Sequence, residues 1–86
     1  MANHAMIDVK AAVRAAVDYV REFQELIPPR ELRLEETEYL ESNEWQITLS
    51  FLENAVTGLR SYKTFTIDAE TGAIRSMKVR SLLGVR

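Results

Sequence analysis

Residues 64–80 read TFTIDAETGAIRSMKVR, two runs in which apolar and polar residues alternate around Asp68-Ala69-Glu70-Thr71-Gly72. Alternation at a period of two places successive side chains on opposite faces of a strand. A short link ending in glycine closes an antiparallel hairpin, because Gly72 supplies left-handed backbone cheaply and Asp68 can accept hydrogen bonds from amides ahead of it. Thr71 suits the same turn. The paired carboxylates also invite a second reading, a small acidic site. A calcium loop needs several more spaced oxygen ligands, and the turn accounts for every residue of the link.

The same period runs upstream. In WQITLSFL, Trp45, Ile47, Leu49 and Phe51 point one way and Gln46, Thr48 and Ser50 the other, as in a strand with one buried face. Leu59, Phe65 and Ile67 oppose Arg60, Tyr62, Thr64 and Thr66, with Ser61 and Lys63 weakening the inner row. Met77, Val79, Leu83 and Val85 likewise oppose Ser76, Lys78 and Arg80. The run ELRLEETEYLE is less regular: Leu32, Leu34 and Leu40 share a phase that Glu36 and Glu38 interrupt, which predicts a bulge or bend. Strands are expected over about 31–41, 45–52, 59–67 and 73–83, joined by links short enough for hairpins.

Before the strands the period is 3.6. Val9, Val13, Ala16, Val17, Val20, Phe23 and Ile27 recur every three or four residues, with Lys10, Arg14, Asp18, Arg21, Glu22 and Glu25 off the stripe. The pattern predicts a helix over about 8–27, with Asp8 as a candidate cap and Pro28-Pro29 as the stop. One face of each strand is apolar, so the helix is expected to cover that face and leave the other wet. The fold class is α+β: one N-terminal helix packed on a four-stranded antiparallel meander, a two-layer sandwich in a single domain of residues 1–86. Trp45 falls in the core by its phase.

Composition excludes more than it assigns. The chain has 86 residues, 47% of them hydrophobic, and a net charge of −2, so bulk attraction to nucleic acid or anionic lipid is absent. It has no cysteine and one histidine, His4, which removes thiolate metal sites, thiol nucleophiles and any Ser-His-Asp set built away from the terminus. The glycines, at 58, 72 and 84, form no phosphate-cradling loop. No apolar run approaches a membrane span, and residues 1–6 lack a basic start followed by an apolar stretch; a cytoplasmic location and no membrane contact are expected. Glu35, Glu36, Glu38, Glu41 and Glu44 supply many carboxylates, but alternation spreads them along a strand and a hairpin tip. Paired acid and base work needs two held in different environments within one cleft. No catalytic, cofactor-binding or metal residue is assigned.

With FTIDAETGAI following an upstream EWQITLSF and both preceded by a helix, residues 9–80 resemble the PepSY-type domains. The last hairpin of that family commonly reads aromatic-x-hydrophobic-Asp-x-x-Thr-Gly-hydrophobic. The resemblance implies a binding or inhibitory module with no agreed catalytic residues. A weaker likeness, carried by Trp45, Tyr62 and Asp68, is to the gas-vesicle accessory protein O, and it implies a structural subunit of a larger assembly.

Function is therefore expected to be binding of another protein, a second copy included, through the sheet or the last strand. The alternatives are an accessory subunit or a carboxylate-dependent hydrolase. Glu31, Glu35, Glu36, Glu38 and Glu41 oppose self-pairing at the first edge, whereas Arg75, Lys78 and Arg80 make the last edge basic and open to an acidic strand. The candidate partner-binding residues are Arg75, Lys78, Arg80, Leu82, Leu83, Val85 and Tyr62. Leu82, Leu83 and Val85 read either as strand continuation into the core or as an exposed patch that a partner covers. Charge divided between opposite edges of a meander suits a dipole across the sheet rather than a basic groove, so nucleic acid is not an expected partner.

Overall fold

The computed structural model describes residues 6–23 and 30–80, in which a helix α1 (Val9–Phe23) precedes strands β1 (Arg30–Leu40), β2 (Glu44–Asn54), β3 (Leu59–Asp68) and β4 (Ile74–Arg80). The strands form one antiparallel sheet in the order β1-β2-β3-β4, with the helix packed on one face. This is the α+β meander that the alternating runs predict. Residues 24–27 of the expected helix, the two prolines, and residues 81–83 of the expected last strand lie outside the described residues. No helix among the described residues is long and apolar enough to cross a membrane.

Asp8 starts the helix: its Oδ1 accepts the Ala11 amide at 2.9 Å while its carbonyl accepts the Ala12 amide at 3.0 Å. The centre of the buried helix face is Ala12, Ala16 and Val20, with Val9, Val13 and Val17 on one shoulder and Ala15 and Tyr19 on the other. Small residues at the contact bring the helix backbone close to the large side chains beneath it, Ile47 and Leu49 of β2 and Phe65 and Ile67 of β3. Tyr19 adds an edge-to-face contact with Phe65, ring centroids 5.7 Å apart.

Register confirms the phase of the central strands. Trp45 pairs with Ile67 and Ile47 with Phe65 on the helix side, while Thr48 pairs with Thr64 and Ser50 with Tyr62 on the far side. The irregular first strand carries register shifts between Arg30 and Arg33 and between Leu34 and Glu36. At the second shift Glu35 is the extra residue, since Leu34 pairs with Leu49 and Glu36 with Thr48. One extra residue reverses the facing of all that follows. Leu34, Thr37 and Tyr39 thus share the helix side, whereas Leu40, opposite Glu44, falls on the far side and does not share a phase with Leu34.

Two further expectations need correction. The far face is not wet at its centre, where Thr48, Ser50 and Thr64 are 3%, 0% and 6% exposed. Long side chains from neighbouring strands reach over these hydroxyls and bond to them: Glu35 and Arg60 to Ser50, and Glu36 to Thr48. Met77 and Val79, whose phase predicts burial, are 39% and 70% exposed on the helix side of β4. The helix lies mainly against β2 and β3 and leaves these two positions of β4 uncovered, although Leu32 of β1 and Ile74 of β4 still pack against the core.

Val20 is 3% exposed beneath the helix, so Val20→Asp would bury an unpaired carboxylate. Loss of a cooperative unfolding transition is expected, with Trp45 emission at the red wavelength of the unfolded chain under native buffer. A cooperative transition with unshifted emission would contradict this packing.

Candidate functional site

The Asp68 turn is the richest cluster of polar groups, and its geometry decides between hairpin and acidic site. Asp68 Oδ1 accepts the amides of Glu70 and Thr71 at 2.8 and 3.0 Å. Its Oδ2 accepts Arg75 Nη2 at 2.6 Å and Nε at 3.2 Å. Main-chain bonds close the turn, Gly72 N to Asp68 O at 2.9 Å and Asp68 N to Ala73 O at 2.9 Å, and Thr71 Oγ1 accepts the Ala73 amide at 3.1 Å. Gly72 takes φ of 79°, the left-handed backbone the sequence asks of it. With both carboxylate oxygens engaged by donors from its own hairpin, Asp68 is a turn residue. The Arg75 contact and the Thr71 and Glu70 amides hold its carboxyl down to about 2, against 3.8 ordinarily, and the same contact raises Arg75.

The turn also joins the other elements at this end of the sheet. The Ala69 amide donates to Asn43 O at 3.1 Å in the β1-β2 link, and Ala69 O accepts the Ile7 amide at 2.7 Å just before the helix. Asn43, itself at φ 65°, donates through Nδ2 to Glu70 at 3.1 Å and accepts a short bond from the Tyr39 hydroxyl. Trp45 packs edge-on against Tyr39 and donates its indole N–H to Ile7 O at 3.0 Å. Arg75 completes the group with Nε 3.3 Å from Glu44 Oε2. Ala69 is consequently fully buried although it sits in a turn. Nothing in the sequence pattern announces this junction, because its bonds join residues far apart in the chain and several of them use main-chain groups, which carry no sequence signal.

The second polar cluster lies on the far face. Ser50 Oγ donates to Glu35 Oε2 at 2.6 Å and accepts from Arg60 Nε at 3.0 Å, and Arg60 also donates to the Glu31 carbonyl. Beside it, the Thr48 and Thr64 hydroxyls are 3.0 Å apart. A serine against a carboxylate suggests an activated nucleophile, but Ser50 is 0% exposed and no substrate carbonyl can approach its oxygen. The cluster satisfies buried hydroxyls within the sheet. Among the described residues, no three of His, Cys, Asp or Glu come together as metal ligands.

The residues expected to bind a partner do not gather into one patch. Arg75 is tied to Asp68 and Glu44 at the base of the hairpin. Tyr62 and Lys78 share the far face, with the backbone of Arg80 paired opposite Tyr62. Leu82, Leu83 and Val85 lie outside the described residues. Met77 and Val79, which alternation alone assigned inward, are exposed. The missed signal was geometric: a helix about 10 Å across cannot shelter four strands spaced about 4.8 Å apart. No family model, curated protein or solved structure matches the chain, which leaves function to be argued from geometry.

Two measurements test the turn. A Cβ added at Gly72 would meet only Ile7 Cδ1, at an ordinary 3.9 Å, so Gly72→Ala isolates the backbone strain. It should destabilise by about 1 kcal/mol in denaturant titration, and an unchanged midpoint would remove the left-handed assignment.

Because the folded carboxyl of Asp68 is depressed, its stabilising contribution is full above the unfolded value of 3.8 and is lost as pH falls through 3.8 towards about 2. Asp68→Asn should therefore melt below wild type at pH 7, with the gap narrowing towards pH 2. A gap of constant size across that range would show that the ionised carboxylate contributes nothing.

Proposed function

We propose that this chain is a non-enzymatic protein-binding module that recruits an extended segment of another protein, a second copy included, to the open edge of β4. The observation that carries the reading is the pair of exposed apolar side chains, Met77 and Val79, on the helix side of an edge strand. An edge strand offers a row of main-chain donors and acceptors unless bulges, proline or charge close it. The other edge is closed in that way. β1 has two register shifts, a residue at positive φ in Glu31, and acidic side chains along most of its length. From Ser76 to Arg80, by contrast, β4 pairs regularly with β3.

An added strand would gain main-chain bonds and lay alternate side chains on Met77 and Val79. Lys78, exposed between them on the opposite face, favours an acidic or mixed-charge partner. Arg75 is less available for this than its position suggests, since two carboxylates already hold it. The enzyme reading has less support, because the carboxylates nearest to one another are occupied by serine, threonine or arginine of the same sheet. The likeness of the last hairpin to PepSY-type domains points to the same class of function.

The test is affinity capture from the native host with the full chain, Met77→Lys/Val79→Lys, and Val56→Lys as a control at a site 96% exposed in a distant link. A partner retained by wild type and the control but lost by the β4 variant is expected, with Lys78→Glu weakening an acidic partner. Retention of the same partners by all the proteins would move the interface off this edge.

A further inference from the structure

A groove of about 510 Å³ runs between α1 and β1, well away from the β4 edge. Its floor is apolar: Val9, Val13 and Val17 form a ridge at intervals of four residues along the helix shoulder, and Leu34 of β1, 50% exposed, faces them. Its rim is basic, with Lys10, Arg14 and Arg21 against the single acid Asp18. We infer that this groove seats an amphipathic helix of a partner protein, with an apolar face and acidic flanks.

Three considerations select that occupant. The first is width. α1 covers β2 and β3, and a second helix packed beside it at the usual interaxial distance of about 8–10 Å would lie over β1. The valine ridge, whose ends are eight positions apart, is about 12 Å long and offers a partner helix rather more than two turns of contact.

The second is the shape of the β1 edge. Its register shifts and its residue at positive φ oppose the addition of a strand, so an occupant must bring its own hydrogen bonds satisfied, as a helix does. The third is charge. The acids of β1 are turned from the groove: Glu35 and Glu36 bond to Ser50 and Thr48 on the far face, and Glu38 pairs with Gln46 there. From β1 the groove is lined by Leu34, with Thr37 and Tyr39 further along the same side of the strand, which leaves the cations of α1 to set the local sign. A second copy docking helix against helix would set those cations against their own counterparts, whereas glutamate-flanked apolar residues would meet both floor and rim.

The probe is a fluorescein-labelled peptide with leucine at helical spacing and glutamate at its flanks, compared with one carrying lysine in place of glutamate. Anisotropy against the full chain should show binding of the acidic peptide alone, weakening with salt. Arg14→Glu/Arg21→Glu should raise its Kd about tenfold or more, and Leu34→Asp comparably, both at exposed positions where circular dichroism should be unchanged. Met77→Lys/Val79→Lys should leave it unaltered, so failure at one surface is distinguishable from failure at the other. Absence of binding, equal binding of the lysine peptide, or indifference to the groove variants would overturn the inference. So would sedimentation as a dimer that Leu34→Asp dissociates, which would give the groove to a second copy.

Discussion

One helix lies on a sheet too wide for it. The strand spacing of about 4.8 Å and the helix diameter of about 10 Å are set by hydrogen bonding and side-chain bulk, not by this sequence. A single helix centred on β2 and β3 can therefore bury Ile47, Leu49, Phe65 and Ile67, while among the described residues of the outer strands Leu32 and Ile74 alone pack against this core, and only half-buried. Four exposed apolar residues on that side follow from this mismatch: Leu34 and Tyr39 along one margin, Met77 and Val79 along the other. Alanines at the helix contact sharpen the effect, because they lower the helix onto the central strands instead of spreading it sideways over the outer ones.

A narrow core needs its ends fixed by other means. At one end two hairpin links and the segment leading into the helix are bound together through Ala69, Asn43 and Ile7. Trp45 serves both sides of this arrangement, packing beside the core while its indole N–H holds Ile7. The acidic character of the Asp68 link is thereby explained without chemistry: Asp68 organises the turn and anchors Arg75, and Glu70 holds Asn43. These carboxylates are acceptors for donors that the fold itself creates.

Alternation made the central strands legible, because Trp45, Ile47 and Leu49 have no other periodic reading and the β3 partners of the first two, Ile67 and Phe65, repeat the pattern. The turn was legible for the same reason, as Asp68 and Gly72 each have one backbone task. β1 was only half legible. Its broken phase foretold a bulge, but which residue is inserted depends on pairing with β2, and that choice sent Leu40 to the far face. The exposure of Met77 and Val79 was invisible to periodicity, which says which side a residue faces and not whether anything lies there. The junction at Ala69 and the buried Thr48 and Thr64 hydroxyls were also hidden, being products of tertiary contacts.

The insertion of Glu35 links several of these features. By adding one residue between Leu34 and Glu36 it disrupts the regular ladder at the β1 edge, and an irregular edge is a poor template for another strand. It also sends two successive carboxylates to the far face, where they bond to Ser50 and Thr48. Without the extra residue, regular alternation from Glu36 backwards would carry Glu35 to the helix side and Leu34 away from it. The groove would then hold an acid opposite Arg14 and Arg21 and lose its apolar wall. One inserted residue thus closes an edge to strands, satisfies a hydroxyl pair, and leaves beside α1 a surface whose floor is apolar and whose net charge is positive.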